Sequence, residues 1–470
     1  MSLLPAASRA APLGGQIATG SATISASGLV TTINQSTDRA VIDWSSFNLS
    51  QNESAEFIVP SSTAATLNRI SGGISTISGT VRSNGTVYFS NPNGMVFDAT
   101  SRVTANGFFA TTGQSSNFDF MNRGEFSNLG NQAVTLNGSI SAPSITARAG
   151  TVTVGGALEA GSGKILLSST NLTTIGQGAT ISTDGSAALA GGNIKIWSYN
   201  HTDFLGRITA NSAGGDGGFV EVSGKKTLNF SGTVSTLAPH GKTGTLLLDP
   251  ATVEIVTTNG TDATVSYITT ANLIAALGTN DVVIDATSTA ITSVSHTSGT
   301  GVGGSITVVD PLSWGGSGNL TLTAGAGGIA IKAAVTSTNS TRRNLSLNSV
   351  GRIRADSAVL TVGALTATAS QGQIFLNGAN AIATLGSLTA GAGDITVRNS
   401  AALSVAAGAS WSAPNGVTVI LGGGDLTLNG ATSVAGKYLR LDLGGGAMLG
   451  GQSLTANGVA VFYTSALAGN

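Results

Sequence analysis

Cysteine is absent from all 470 residues. That excludes a disulfide framework and any thiolate metal site. It also suits a chain that crosses an oxidising periplasm without being locked. Charge is nearly missing too, at 9% of residues where about 25% is usual. The formal net charge of −1 gives no basic footprint for nucleic acid or an anionic membrane. Aromatics are 5%. Mean hydropathy is +0.27, yet no stretch of about 20 consecutive apolar residues exists, so no transmembrane helix is expected. The N-terminus, MSLLPAASRAAPLGGQ, lacks the apolar core of an intact secretory signal. Residues 1–11 read as a signal-peptide remnant or an artificial start. The other end, Phe462-Tyr-Thr-Ser-Ala-Leu-Ala-Gly-Asn470, has no distinct terminal domain, so either the shaft is cut there or it is itself the product.

What is present is glycine, 66 residues of it, and short alternating strands. Asn319-Leu-Thr-Leu-Thr, Asn344-Leu-Ser-Leu-Asn, Asp394-Ile-Thr-Val-Arg and Asp425-Leu-Thr-Leu-Asn each place apolar residues at alternate positions, so one face is apolar. Their starts give a loose period near 25, which indicates a solenoid. Short strands, Gly-rich corners and almost no helical periodicity select a β-helix. Corners need φ > 0, hence Gly and Asn. One segment, 269–278, reads as a short helix. Thr269 or Thr270 caps it, Leu273, Ile274 and Leu277 form its apolar face, and Gly278 stops it. Residues 12–130 carry more large side chains, including Trp44, Phe47, Phe57, Tyr88, Phe89, Phe97, Phe108 and Phe126. A denser core is expected there.

Within that denser part, Ser90-Asn-Pro-Asn-Gly94 separates two strand-like runs. Pro92 presets the turn and Asn93 or Gly94 takes φ > 0. Ordered patterns surround it: Gly14-Gly-Gln-Ile-Ala-Thr-Gly-Ser-Ala-Thr-Ile-Ser, Asn34-Gln-Ser, Arg39-Ala-Val-Ile-Asp-Trp, Leu67-Asn-Arg-Ile, Ser78-Gly-Thr-Val-Arg-Ser-Asn-Gly and Asn91-Pro-Asn-Gly-Met. Together they resemble the secretion domain of the two-partner secretion exoproteins, the filamentous haemagglutinin family. The resemblance is strong over residues 12–130. It weakens toward Gly244-Thr-Leu-Leu-Leu-Asp-Pro250.

The resemblance implies an all-β chain: a right-handed parallel β-helix with an N-terminal β-sheet cap and small extra-helical elements. Residues 12–250 are then the secretion domain and 251–470 a β-helical shaft. It implies secretion to the cell surface or beyond via the periplasm, through an outer-membrane β-barrel transporter with POTRA domains. The product is an adhesin or structural filament, with a shaft for a missing C-terminal toxin as an alternative. Asn91, Pro92, Asn93, Gly94 and Met95 form the secretion pattern; Met95 stands where the family often has Ile. Gln51, Asn52, Glu53, Asn68 and Arg69 are transporter-recognition candidates. A second family pattern, Asn-Pro-Asn-Leu, is absent, and Phe47-Asn-Leu-Ser-Gln-Asn-Glu-Ser matches a subgroup lacking it. Mutating Asn91–Gly94 is expected to abolish export. The direct cause favoured is loss of the turn, because turn chemistry is sufficient by itself.

Enzyme chemistry is the competing class, since β-helices also carry polysaccharide-processing sites. Such sites need clustered acids, and the acids here are thinly spread, so no catalytic residue, metal or cofactor is expected. His201, His240 and His296 lie far apart. Trp197-Ser-Tyr-Asn-His201-Thr-Asp-Phe204 reads as a surface loop packing Trp197 and Phe204, with a glycan contact oriented by Asp203 as the alternative. Gly214-Gly-Asp-Gly-Gly218 lacks the Lys-Ser/Thr of a phosphate loop and reads as a turn. The receptor stays open and includes glycans; no nucleic-acid partner is expected. End-to-end self-association is expected of an uncapped coil.

Overall fold

The computed structural model describes residues 11–287 and 304–463; His296 lies outside them. The chain is a parallel β-solenoid, with two short helices among the described residues. It divides into two units, residues 1–222 with 231–244, and residues 223–230 with 245–470.

In the first unit, three columns of strands stack turn on turn. One runs from Arg39–Trp44 through Ala65–Ile70, Thr86–Ser90 and Gly107–Thr111 into Ser144–Val154. A second runs from Ser75–Ile77 through Met95–Phe97 and Ala133–Leu136. A third runs from Val30–Gln35 through Ser54–Ile58, Thr80–Ser83 and Arg102–Thr104. Every pairing within the columns is parallel. The exceptions cap the start. Gln16–Thr19 pairs antiparallel with Arg39–Trp44, and Ala22–Ser27 forms a hairpin with Val30–Gln35. The first strands of two columns therefore present no naked edge for aggregation. Gly28, at φ +54°, supplies the backbone of that two-residue hairpin turn.

Alternation decides what enters the core. Phe47, Phe57, Phe89, Phe97 and Phe108 point inward and are almost wholly buried. Phe89 meets Phe47, Phe57 and Phe97 edge-on at 5.1, 6.4 and 5.8 Å, the geometry aromatic quadrupoles favour.

The second unit has the same three-column plan with Leu, Val, Ile and Ala inside. Asn319 and Asn344 are one turn apart, and the Asn344 N–H donates to the Asn319 Oδ1 at 3.0 Å across 25 residues. The next turn follows after 20, where Ala364 N–H donates to Asn344 Oδ1 at 3.0 Å. The strands at Asp394 and Asp425 belong to the two other columns. The period near 25 thus mixed columns; the turns at Asn319, Asn344 and Ser410 run from 20 to 25 residues, while one between Val282 and Leu320 takes 38 and one between Asn380 and Asn399 takes 19. Corner length varies, and registry shifts at bulges such as those near Ala367 and Asn380, so spacing along the chain blurs the repeat.

The expected short helix is Thr270–Leu277 (α2), capped by Thr269, whose Oγ1 accepts from Asn272 N at 3.2 Å. Its fully buried face is Thr270, Leu273, Ala276 and Leu277, with Ile274 only half-buried. Gly278 keeps a right-handed φ of −69°. Asn280 shares in closing the end, its carboxamide donating to Ala276 O at 2.8 Å. A second helix was not expected from periodicity: Asn117–Arg123 (α1). Its marks are local. Ser116 Oγ accepts from Asp119 N at 3.0 Å and donates to Asp119 Oδ2 at 2.6 Å, and Gly124 ends the helix at φ +68°. That is a serine N-cap with a left-handed stop.

One further reading changes and another stands. Trp197–Phe204 is not a loop but the strands Asn193–Ser198 and His201–Phe204 joined by a corner. Alternation sends Phe204 into the core and leaves Trp197 half-buried outside against Tyr199 at 4.6 Å. Gly214–Gly218 is a bend, as read, and Asp216 Oδ1 accepts from Lys242 N at 2.8 Å.

Candidate functional site

Asn91-Pro92-Asn93-Gly94 is a β-turn closed by Gly94 N–H donating to Asn91 O at 3.1 Å. The positive φ, +101°, falls on Gly94 rather than Asn93. Asn91 is wholly buried. Its Nδ2 donates to Gly73 O at 3.0 Å and Ser75 Oγ at 2.9 Å, both in the preceding turn of the solenoid. Its Oδ1 accepts from Asn93 N at 2.9 Å. The exposed Asn93 reaches the same turn, donating to Gly72 O at 2.6 Å. Ser75 N–H returns a bond to Gly94 O at 3.1 Å. The turn therefore fixes its own shape and its stacking on the coil before it. Met95, 1% exposed, begins the next strand between Ser75 and Val134.

Pro92 borders a surface groove of about 480 Å³, lined by Asp43, Arg69, Ser71, Gln114 and Ser115 among others. Asp43 and Arg69 are neighbours across adjacent strands. They form a two-pronged pair, Nε to Oδ1 at 2.6 Å and Nη2 to Oδ2 at 2.9 Å, the geometry that makes Arg–carboxylate pairs directional. Arg69 Nη1 also donates to Ser115 O at 3.3 Å, tying the strands to the loop that starts α1. Beside it, α1 seals the outward side of the sheet: Phe120 packs with Val41, Leu67 and Tyr88. Arg39 donates to Phe120 O, and to Met121 O at 3.2 Å, with its guanidinium 5.7 Å from the Phe120 ring. Burial pushes the Tyr88 phenol pKa up, against the lowering pull of Arg39.

The groove unites Pro92 with Arg69. Asp43, Gln114 and Ser115 complete it and escaped sequence reasoning. The other candidates stand elsewhere. Asn68 points inward and is fully buried; its Oδ1 accepts from Trp44 Nε1 at 3.0 Å and its Nδ2 donates to Tyr88 O at 3.1 Å. Gln51 and Asn52 are exposed at a different corner. Glu53 there is 3% exposed, and its Oε2 accepts from Ser50 N at 2.8 Å.

Past the Met95–Phe97 strand, Asp98 closes the next corner. Burial opposes its charge, but hydrogen bonds from Ser78, from the Thr100 hydroxyl and from the Thr100 and Ser101 amides outweigh that. Its pKa sits below the ordinary carboxylate range. His201 Nε2 lies 3.1 Å from Asp203 Oδ1, so the anticipated pair forms. Among the described residues no three His, Asp or Glu side chains converge as a metal site, and no helix is long and apolar enough to cross a membrane.

The TPS secretion domain model matches residues 8–292. Two heme/hemopexin-binding proteins of Haemophilus influenzae are similar, at 39% identity over 108 residues and 40% over 82. Those matches cover 23% and 17% of this chain but only 12% and 9% of the relatives' lengths. The HMW1 secretion domain from Haemophilus influenzae aligns in structure over 83% of this chain and 95% of its own, with 18% identity and a TM-score of 0.47. Exoproteins of this family are secreted across the outer membrane. The chain belongs to the two-partner secretion (TPS) secretion-domain family.

Proposed function

We propose that this chain is a secreted adhesive or structural exoprotein, exported through a dedicated outer-membrane β-barrel with POTRA domains. On this reading residues 12–250 are the export address and folding nucleus, and 251–470 are shaft. The observation that carries it is the Asn91–Met95 turn, which lies inside the matched family region and bonds its coil to the preceding one through Gly72, Gly73 and Ser75. A chain that emerges N-terminus first would gain, at this turn, a lock of one coil onto the coil before it. Gln51, Asn52 and Arg69 are the transporter-contact candidates that remain accessible after folding; Glu53 and Asn68 are readable only before it.

The test is export. The chain with a signal peptide is co-expressed with its cognate barrel, and protein in the medium is compared for wild type and Asn91→Ala/Asn93→Ala. Barrel-dependent release, lost in the double variant, is the expected result. Release without the barrel, or none with it, overturns the reading.

A further inference from the structure

A second groove, in the other unit, combines features that ordinary shaft packing does not require. Arg342 is the only non-glycine residue among those described with φ in the left-handed region, at +38°. A long side chain there is strained, whereas Gly would not be. The strained loop is built to project this side chain. Asn339 Oδ1 accepts from Thr341 N at 3.2 Å, Arg342 N donates to Asn339 O at 2.8 Å, and Arg343 N donates to Ser337 Oγ at 2.8 Å. One turn further on, a Cβ at Gly363 would stand 2.5 Å from Arg342 O, so only glycine lets the loop sit there. The Arg342 guanidinium then passes that turn and donates from Nη1 to Ala381 O at 2.7 Å, 39 residues away.

At that point it walls a half-open groove of about 270 Å³, with Ala383, Ala401, Ala402, Ser404 and Thr427. No acid lines the groove, and among the described residues neither Arg342 nor Arg343 has an ion-pair partner. Arg343 Nε is buried without a hydrogen-bond acceptor. The acid next in sequence to Thr427, Asp425, directs its Oδ1 to Ala447 N at 2.8 Å. A guanidinium carries five donors; one is used on Ala381, and the others have no protein acceptor among the described residues.

The chemistry is thus one cation for a carboxylate, a small flat alanine surface and two hydroxyls. The volume lies below the roughly 300–1,000 Å³ of pockets for drug-sized ligands, so the occupant is about one residue in size. A peptide strand is disfavoured, because the Leu403–Val405 strand is already paired on both sides and offers no edge. A sugar fits: its C–H face against Ala383, Ala401 and Ala402, its hydroxyls to Ser404 and Thr427, its carboxylate forked by Arg342.

We propose that the Arg342 groove binds a carboxylated sugar residue of an acidic polysaccharide. The test is calorimetric titration of the full chain with oligosaccharides of galacturonate, glucuronate and sialic acid, their methyl esters, and a polyglutamate peptide. At least one carboxylated sugar should bind saturably and its ester at least tenfold more weakly. Arg342→Gly should lose binding at least tenfold with an unchanged or raised thermal midpoint, which separates recognition from folding. Arg342→Lys, which keeps the charge but not the fork, should fall between. Failure of all three sugars, equal binding of an ester, undiminished binding by Arg342→Gly, or binding of the peptide alone would overturn the proposal.

Discussion

The two units use one backbone plan and specify it differently. In the first, registry comes from large shapes. Phe47, Phe57, Phe89, Phe97 and Phe108 interlock between turns, and α1 adds an outer layer around Phe120. In the second, the interior is mostly aliphatic, and registry comes from side-chain amides. Asn319 and Asn344 bond turn to turn outside. Inside, Asn399 is buried, its Oδ1 accepting from Ile382 N at 2.8 Å and its Nδ2 donating to Ile382 O at 3.2 Å. Aliphatic side chains of similar shape tolerate a slipped turn better than rings do. A shaft of such residues therefore needs directional bonds to count its turns. The first unit carries such bonds as well, at Asn84 and Asn91, and adds rings to them, because a misplaced ring finds no hole.

This comparison breaks most visibly at Phe89. Phe89→Ala leaves a ring-sized void facing four aromatic neighbours, and about 3–5 kcal/mol of local stability should be lost. Solenoid turns interact mainly with their neighbours. Hydrogen exchange should therefore accelerate in residues 40–110 and stay unchanged beyond 320. Equal acceleration in both regions would show that the units do not divide stability this way. Asn399→Ala is the counterpart in the second unit. It orphans the Ile382 N–H and O that its carboxamide serves, at a cost of about 1–3 kcal/mol, read as faster exchange of the 374–400 amides.

Much of the architecture was legible because it depends on local pattern. Alternation marked the strands, and Gly and Asn marked the corners. Column membership was not legible, since Asn319, Asp394 and Asp425 begin near-identical strands and only corner length decides which column each joins. The α1 helix is too short for periodicity, although Ser116, Asp119 and Gly124 carried its caps. At the candidate site, Asn91–Gly94 was readable as a turn. Its bonds to Gly73 and Ser75 were not, because no sequence rule says which backbone atoms a preceding coil presents. Arg69 entered through the resemblance. Asp43, Gln114 and Ser115 did not, being brought to Pro92 only by stacking of turns.

Smaller effects sharpen the contrast. Asn344→Ala removes acceptors for one neighbouring amide but leaves it near water, so about 0.5–1 kcal/mol is expected. That is less than at buried Asn399, and exchange of the Ala364 amide should report it. If the exposed ladder proved worth as much as the buried one, amide bonding rather than burial would set the register of the shaft.

The smallest effect is a matter of pH. Asp98 in the first unit closes a corner with a charged acceptor, and Asn344 in the second offers a neutral one for comparison. The folded-state pKa of Asp98 is depressed, because hydrogen bonds from Ser78, Thr100 and Ser101 outweigh the desolvation that opposes them. A depressed carboxylate binds its proton more readily unfolded than folded. Its stabilisation is therefore complete above the unfolded value of about 3.9 and lost as pH falls through the folded value. Exchange of the Thr100 amide, which donates to Asp98 Oδ1 at 2.9 Å, should gain protection less steeply with rising pH in Asp98→Asn than in wild type between pH 2 and 5. The Ala364 amide on Asn344 should show no such difference. If Asp98→Asn left the acid limb at Thr100 unchanged, the corner would be held by its backbone turn alone, and the charge there would be incidental to the stacking of the coil.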